Sequence, residues 1–226
     1  MSAHYKALTR RTKPEDIAIF PLNGTVMFPC CDLPLNIFEP RYLNMVDDAL
    51  KSDRLIGMIQ TDPENGSGLA KIGGLGRIIQ FSETDDGRYL IVLKGLKRFT
   101  FIEDMNASTP YRRGRVDFTG FETDAELHDP VPVPKAFKNL GGERATLTVA
   151  MKALAKTLNV NVDWASLAEI PLDQLVDQAA MISPFKSEDK QSLLEASSGE
   201  ERRRLLTGLM HLYAANGPGD SASPMN

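Results

Sequence analysis

Residues 17–42 organise the chain, and their sequence is Ile17-Ala-Ile-Phe-Pro-Leu-Asn-Gly-Thr-Val-Met-Phe-Pro-Cys-Cys-Asp-Leu-Pro-Leu-Asn-Ile-Phe-Glu-Pro-Arg-Tyr42. The stretch is mostly apolar, but prolines at positions 21, 29, 34 and 40 prevent one continuous helix. Short extended segments joined by fixed corners are the alternative. Pro40 differs, because it stands where a helix would begin and where a missing amide hydrogen is tolerated. The stretch therefore predicts strand, corner, strand and then helix.

The residues that follow Pro40 have the spacing of an amphipathic helix. Apolar residues recur three and four positions apart and form one face over about three turns. The residues on this face are Tyr42, Met45, Val46, Ala49 and Leu50. We therefore expect this helix to pack against the strands on either side of it.

The rest of the first half is rich in strand signals. The apolar run 55–59 predicts a buried strand, and Asp86-Gly87 predicts a hairpin, because glycine and aspartate tolerate the positive φ angles of a tight turn. Gly95 interrupts the next apolar run, so we expect a separate strand to turn back over residues 98–102. Residues 111–118 predict a last strand with one charged face.

The second half changes to a helical period. Residues at steps of four, three and four predict a helix over 143–158, and their stripe consists of Leu147, Met151, Leu154 and Leu158. A second helix follows Pro171, Ser187 is expected to cap a third, and Ser198 to Glu201 form a capping box for a fourth. The residues therefore predict an α+β protein.

The predicted organisation has five parts. These are a flexible arm at 1–14, a β domain at 15–118, an acidic, proline-bearing linker at 119–134, a helical bundle at 135–215 and a disordered tail at 216–226. Residues 1–118 hold 16 basic and 15 acidic residues, and residues 119–226 hold 10 and 15. An acidic helical half is a poor electrostatic match to nucleic acid.

Composition excludes several classes of protein. The 226 residues are 42% hydrophobic and 25% charged, and no apolar run approaches the roughly 18 residues of a membrane helix. No signal sequence precedes residue 15, so we expect a cytoplasmic protein with no membrane contact. The two cysteines, Cys30 and Cys31, are adjacent, which suits neither an ordinary disulfide nor a zinc cage, so we expect reduced thiols.

The sequence offers little chemistry. The three histidines, His4, His128 and His211, have no partner at ligand spacing, so we expect no metal site and no cofactor. The glycine-rich run 73–76 lacks the lysine and hydroxyl residue of a phosphate-binding loop, and we interpret it as a bend before a strand. We interpret Asp85-Asp86 as turn residues in preference to an acid–base pair.

Several ordered motifs resemble the opening of the N-terminal, substrate-recognition domain of Lon proteases. They are Phe20-Pro-Leu, Met27-Phe-Pro, Leu33-Pro-Leu, Ile37-Phe-Glu-Pro-Arg-Tyr42, Asp85-Asp-Gly-Arg-Tyr-Leu-Ile91 and Lys94-Gly-Leu-Lys-Arg-Phe99, with a weaker likeness at Lys190-Gln-Ser-Leu-Leu-Glu195. At Cys30-Cys31 the family more often has small residues such as glycine. The resemblance implies that the β domain is a PUA-like pseudo-barrel.

The resemblance also implies a function. Lon proteases add an ATPase module and a protease module, and nothing in this sequence matches either, so we expect a stand-alone, non-enzymatic module that binds polypeptide, as an adaptor in protein quality control or proteolysis. Binding would use exposed apolar side chains in a groove or an open sheet edge. The candidate contact residues are Met27, Phe28, Phe38, Glu39, Arg41 and Tyr42.

Two alternatives remain open for the charged residues. Glu39 and Arg41 either contact a partner or are structural, with Glu39 capping the helix and Arg41 pinning the neighbouring loop. A second set could form a basic patch for RNA, since PUA-like folds also occur in RNA-binding proteins. That set consists of Lys94, Lys97, Arg98, Arg112, Arg113 and Arg115. The other interpretation of this patch is a solvated strand face.

Overall fold

The computed structural model describes residues 15–125 and 141–216, and it divides the chain into two compact units, Met1–His128 and Asp129–Asn226. The first unit is mainly strands and the second is helical, which confirms the predicted α+β class. The predicted arm and the tail from residue 217 lie outside the described residues, as does the linker from residue 126. The boundaries proposed at 118 and 135 therefore stay predictions.

Residues 15–125 of the first unit contain six strands and one long helix. In chain order the elements are β1 (Asp16–Pro21), β2 (Asp32–Ile37), α1 (Pro40–Leu50), β3 (Leu55–Ile59), β4 (Ile72–Glu83), β5 (Tyr89–Met105), β6 (Arg113–Asp117) and a short 3-10 helix (Glu122–Ala125). The strand, corner, strand and helix predicted for residues 17–42 are confirmed. Pro40 is the first residue of α1, and the helix buries Tyr42, Met45, Val46 and Ala49.

The strands close on themselves to form a pseudo-barrel. β1 pairs in parallel with β3 and antiparallel with β6, and β3 is followed across the sheet by β4 and β5. The second half of β5 pairs with β6, which completes a ring of five strands. The first half of β5 pairs instead with β2. Because strand edges satisfied by neighbours do not attract other chains, closure protects most of this sheet.

β2 differs from the ring strands because, among the described strands, it pairs on one side only. Pro34 lies in the middle of it, opposite Val92 of β5. Proline has no amide hydrogen to donate, and within sheets it is found on edge strands or at bulges. The open edge of β2 is therefore short and lacks one donor.

The strand at Gly95 is not broken, so the separate strand that we expected over residues 98–102 is wrong. β5 runs continuously through Gly95, and a side chain there would lie 2.0 Å from the carbonyl oxygen of Phe28. The carbonyl of Gly95 accepts a hydrogen bond from the amide of Cys30, and its amide donates to the carbonyl of Cys31, both at 2.9 Å. Glycine therefore lets the incoming chain cross directly over the strand.

The glycine run 73–76 lies inside β4, so our interpretation of it as a bend before the strand is also wrong. A side chain at Gly74 would lie 2.1 Å from the carbonyl oxygen of Met27, and one at Gly73 would collide with the ring of Phe99. The small residues leave room for the segment that carries Met27 and Phe28 to pack against the sheet.

The predicted hairpin is present between β4 and β5. Gly87 has a φ of 79°, and the amide of Thr84 donates to the carbonyl of Arg88 at 2.9 Å, which leaves three residues in the loop. Asp86 accepts hydrogen bonds from the Thr84 hydroxyl at 2.5 Å and from Arg88 Nε at 2.8 Å. The Thr84 hydroxyl, with Arg88, holds the pKa of Asp86 below its usual value. Asp86 is thus a turn residue.

The core of the first unit lies on both faces of the sheet. Side chains of β1 alternate, so that Ala18 and Phe20 join one cluster with α1 whereas Ile17 and Ile19 join another around Phe99. A strand that is buried on both faces has a continuous apolar sequence, which explains the apolar run at residues 17–20.

The second unit contains five helices among its described residues. They are α2 (Gly141–Thr157), α3 (Trp164–Ala168), α4 (Leu172–Ile182), α5 (Ser187–Glu195) and α6 (Gly199–Asn216). The four predicted helices are confirmed. α3 was not predicted; Asp163 caps it by accepting from the amides of Ala165 and Ser166. No helix in the described part of the chain combines the length and apolarity needed to cross a bilayer.

Of the two predicted helix caps, the one at Ser198 is confirmed and the one at Ser187 is wrong. Ser198 Oγ accepts from the amide of Glu201 at 3.1 Å, as half of the predicted capping box requires, and the Glu201 carboxylate accepts from Ser197. Ser187 is the first residue of α5 and not its cap, because the carbonyl of Lys186 already accepts the first helical hydrogen bond.

A buried ion pair links three helices of the second unit. Arg202 of α6 donates to Asp177 of α4 at 2.8 Å and to the carbonyl of Leu193 in α5 at 3.0 Å. Both charged side chains are almost inaccessible to solvent. Because an unpaired charge is costly in such an environment, the pair fixes the relative positions of the helices.

Candidate functional site

The start of α1 exposes an apolar side chain next to an ion pair. Phe38, between β2 and α1, has 58% of its surface exposed, more than any other large apolar side chain described in the first unit. Glu39 occupies the N-cap position, where its carbonyl accepts from the amides of Tyr42 and Leu43. Its carboxylate makes no cap hydrogen bond and instead binds Arg41.

The expected roles of Glu39 and Arg41 are therefore corrected. The backbone of Glu39 caps the helix but its side chain does not, since Asp, Asn, Ser and Thr have the shorter reach that capping favours. Arg41 pairs with Glu39 at 2.8 Å and, among the described residues, holds no loop by a hydrogen bond. An exposed pair of this kind contributes about 0–1 kcal/mol, so both side chains remain available to a partner.

Tyr42 anchors the same region to the core. Its ring lies 4.3 Å from that of Phe20 and carries the Arg41 guanidinium at 4.5 Å from its centroid. Burial raises the pKa of the Tyr42 phenol, while the positive charges of Arg41 and Arg112 act in the opposite direction. The two arginines therefore lie close to one phenol, although they are 71 positions apart in the sequence.

These side chains open onto a cavity of about 260 Å³. Its lining consists of Pro21, Arg41, Tyr42, Thr109, Pro110, Tyr111 and Arg112. Arg112 donates to both oxygens of Asp104, at 2.8 and 2.7 Å, and to the carbonyl of Ser67 at 3.0 Å. The cavity thus combines proline and tyrosine walls with two guanidinium groups.

A second cavity of about 210 Å³ has Tyr111 in common with the first. Asp16, Asp48 and Asp53 line it together with Arg113, so its charge has the opposite sign. The Tyr111 hydroxyl donates to Asp48 at 3.0 Å, and burial followed by this bond raises the pKa of Tyr111. Tyr111 therefore separates a basic cavity from an acidic one.

Three of the six candidate contact residues lie in the core, and one of them is Tyr42. Met27 and Phe28 are fully buried, on the segment that crosses Gly74 and Gly95. Phe38, Glu39, Arg41 and Tyr42 are together at the start of α1. The solvent-accessible side chains there are those of Phe38, Glu39 and Arg41, and we name these three residues the α1 entry surface.

Sequence reasoning missed the other side of the α1 entry surface. Thr109 and Pro110 carried no motif, Pro21 was noticed only as a chain corner, and Arg112 was considered only for RNA. The spacing of these residues along the chain could not predict that they lie near Arg41, because they are brought together by the pairing of strands that are distant in the sequence. A proline next to a tyrosine and an arginine in 110–112 was the one available signal.

The basic residues considered for RNA are neutralised by neighbours. Arg113 pairs with Asp16 at 2.9 Å, Lys94 with Asp32 at 2.7 Å, and Arg115 with Glu103.

Two more of these residues are buried. Arg98 binds both oxygens of Asp124, and Lys97 lies over the ring of Phe118 at 4.2 Å. Burial of these two cations reduces the positive charge that the strand presents to a phosphate backbone.

The described residues hold no group of three or more histidine, cysteine, aspartate or glutamate side chains that could bind a metal ion. Of the histidines, only His211 lies among the described residues. The Cys30 and Cys31 thiols are both buried and free of a disulfide. The side chains that form the candidate site are aromatic, proline and arginine side chains.

Comparison with known families agrees with this description. The family model of the ATP-dependent protease La (LON) substrate-binding domain matches residues 16–211. This chain belongs to that family. The matched domain therefore includes residues of both units, from β1 to α6. The match confirms the resemblance found in the motifs.

Curated relatives of this LON substrate-binding domain include whole proteases. Lon protease 2 of Myxococcus xanthus is 26% identical over 204 residues, which are 88% of this chain and 24% of that protein. The Lon protease of Syntrophus aciditrophicus is also 26% identical over 204 residues, covering 86% of this chain and 25% of that protein. The chain thus spans about a quarter of the length of these relatives.

Solved structures show the same fold. The Lon N-terminal domain protein from Xanthomonas campestris matches with a TM-score of 0.58 and 21% identity over 85% of this chain and 97% of that one. The N-terminal domain of the Mycobacterium avium complex Lon protease matches with a TM-score of 0.60 and 16% identity, over 86% and 97%. At these identities the likeness concerns the fold.

Proposed function

We propose that this protein recognises polypeptides without cleaving them, and that it acts as an adaptor in protein quality control or proteolysis. The family match over residues 16–211 carries the proposal, because the family is described by its substrate-binding role. The contacts of the α1 entry surface add support. Phe38 is exposed there, and Arg41 of the same surface lines a cavity together with prolines and tyrosines.

Phe38 is the residue through which unfolded chains would gain most contact. Burying an apolar side chain contributes about 1.5–3 kcal/mol when it passes fully out of water, and Phe38 has 58% of its surface still to bury. A gain of about 1 kcal/mol corresponds to roughly fivefold in affinity. The buried Met27 and Phe28 offer no such surface.

Titration with an unfolded protein tests the proposal. Reduced, carboxymethylated α-lactalbumin carries a fluorescent label, and its anisotropy is followed as this protein is added; native α-lactalbumin serves as the folded comparison. We expect saturable binding of the unfolded form only. Phe38→Ala should weaken it about fivefold.

Ile102→Ala is the matched control, because Ile102 is also an exposed apolar residue of the first unit, at 50%, and lies on β5. It should leave the affinity within a factor of two, about the size of an ordinary surface effect. No binding of the unfolded protein, or equal losses in both variants, would contradict the proposal. Fragments of the labelled protein after prolonged incubation would contradict the non-catalytic part of it.

The adaptor role needs a separate measurement. A Lon-type protease degrades the same labelled protein in the presence and absence of this chain, and the initial rates are compared. An adaptor changes the rate, and Phe38→Ala reduces that change. An identical rate at every concentration of this chain rejects the adaptor role and leaves polypeptide binding unaffected.

A further inference from the structure

The basic cavity at the start of α1 points to one kind of polypeptide segment. Resting on the proposed function, we propose that this cavity binds the C-terminal residue of a polypeptide, with its free carboxylate between Arg41 and Arg112 and its apolar side chain against Pro21 and Pro110. The site is distinct from Phe38, which lies outside the cavity lining.

The two arginines keep donors for a further carboxylate. Arg41 uses Nε and one terminal nitrogen on Glu39, and Arg112 uses Nε and one terminal nitrogen on Asp104 and Ser67. Within the described residues, the second terminal nitrogen of Arg112 makes no hydrogen bond, and the Arg41 guanidinium makes one further side-chain hydrogen bond, with the Tyr42 phenol that lines the cavity. Guanidinium groups bind carboxylates through several N–H donors at once, which makes such contacts strong and directional.

The existing partners do not block the site. Glu39 and Asp104 are each nearly half exposed, so their pairs with the arginines are surface pairs of small net energy. The two guanidinium groups also come from different elements, α1 and the segment before β6, and both act on the phenol of Tyr42. A ligand oxygen near that phenol is therefore within reach of two positive charges.

Size and lining select a chain terminus over an internal acidic residue. A cavity of about 260 Å³ lies below the range of about 300–1,000 Å³ that holds drug-sized ligands, so it suits a single residue. The proline and tyrosine walls of the cavity favour an apolar group, and its two arginines favour a carboxylate. A C-terminal apolar residue supplies both at once, whereas an internal aspartate or glutamate supplies only the carboxylate.

Pairs of short peptides test this assignment on the full chain. Fluorescein-labelled glycine–serine peptides ending in leucine or phenylalanine are made as free acids and as C-terminal amides, and binding is measured by anisotropy. A third peptide carries an internal glutamate and an amidated end. We expect the free acids to bind about tenfold more tightly than either amidated form, since amidation removes the charge-assisted hydrogen bonds to the carboxylate.

Arg41→Gln removes one cation and should reduce the preference for the free acid to less than about threefold, whereas Arg41→Lys should restore part of it. Arg88→Gln is the control. Arg88 pairs with Asp86 two residues earlier, also at 2.8 Å, and is 45% exposed compared with 54% for Arg41, but it lies in the hairpin. It should leave the preference unchanged. Circular dichroism confirms that each variant is folded.

The outcomes separate this site from polypeptide recognition in general. Equal binding of acids and amides, equal binding of the internal-glutamate peptide, or equal effects of Arg41→Gln and Arg88→Gln would each overturn the C-terminal site. Unfolded α-lactalbumin would still bind in all three cases if the proposed function holds. Failure of α-lactalbumin to bind, with the free-acid preference intact, would instead reject recognition of unfolded chains.

Discussion

Replacing Gly95 by alanine tests how tightly the first unit is built. The added methyl would lie 2.0 Å from the carbonyl oxygen of Phe28, where the closest ordinary contact of a side-chain carbon is more than 3 Å. The backbone of residues 28–31 would have to move away from β5. Overpacking of this kind costs about 1–3 kcal/mol.

The same displacement would break two hydrogen bonds. The amide of Cys30 donates to Gly95, and the amide of Gly95 donates to Cys31, both at 2.9 Å. Each such bond contributes about 1 kcal/mol. Together with the overpacking, Gly95→Ala should lower the free energy of unfolding of the first unit by about 3–5 kcal/mol.

Urea denaturation followed by far-ultraviolet circular dichroism measures the loss, and amide exchange of β5 assigns it to the first unit. Fluorescence of the single tryptophan, Trp164, does not serve, because it lies in the second unit. Gly66→Ala is the control: a methyl there meets nothing within 4 Å, and its φ is not positive. It should change the stability by less than about 0.5 kcal/mol.

A loss below about 1 kcal/mol for Gly95→Ala would contradict this prediction. Such a value would mean that the segment over β5 relaxes without strain and that its two hydrogen bonds contribute little.

Three further predictions concern single groups. Asp124→Asn should destabilise the first unit by about 3–5 kcal/mol in urea, because it leaves the buried Arg98 without its countercharge; a loss below about 1 kcal/mol would contradict this. Cys30→Gly should be about 1 kcal/mol more stable than Cys30→Ala in thermal unfolding, because residue 30 has a φ of 61°, and equal midpoints would exclude backbone strain there. The pKa of Tyr111 is raised in the folded protein, so near and above the ordinary tyrosine value of 10.0 the unfolded chain loses the phenol proton more readily than the folded protein does. The free energy of unfolding should therefore fall as the pH rises in that range, and Tyr111→Phe should make its dependence on pH less steep.

Local sequence signals predicted the parts of the fold that depend on neighbours in the chain. Pro40 at a helix start, the apolar face from Tyr42 onward and the turn at Gly87 are each determined by a few adjacent residues. The four longer helices of the second unit followed from their apolar stripes. The five-residue helix α3 escaped notice because it buries no residue and so has no stripe.

Errors arose wherever a distant segment decides the structure. Gly95 looked like a strand end because glycine often is one, but the carbonyl of Phe28 requires glycine inside a continuous strand. The exposure of the candidate residues could not be predicted from the sequence either. Phe28 and Phe38 are both phenylalanines next to prolines or charged residues in one short stretch, yet Phe28 is buried and Phe38 is exposed. Arg112 and Arg41 line the same cavity only because the sheet closes, which local sequence signals do not show.

Pro34 in the unpaired edge of β2 has a consequence for selectivity. A main-chain ladder would accept almost any extended segment, including a second copy of the protein itself, and it would favour fibrous polymers at high concentration. With one donor missing from that edge, attraction based on backbone alone is weak. If the proposed function holds, binding of other chains then depends on side chains, and pairing of β2 with a second copy of this protein is disfavoured.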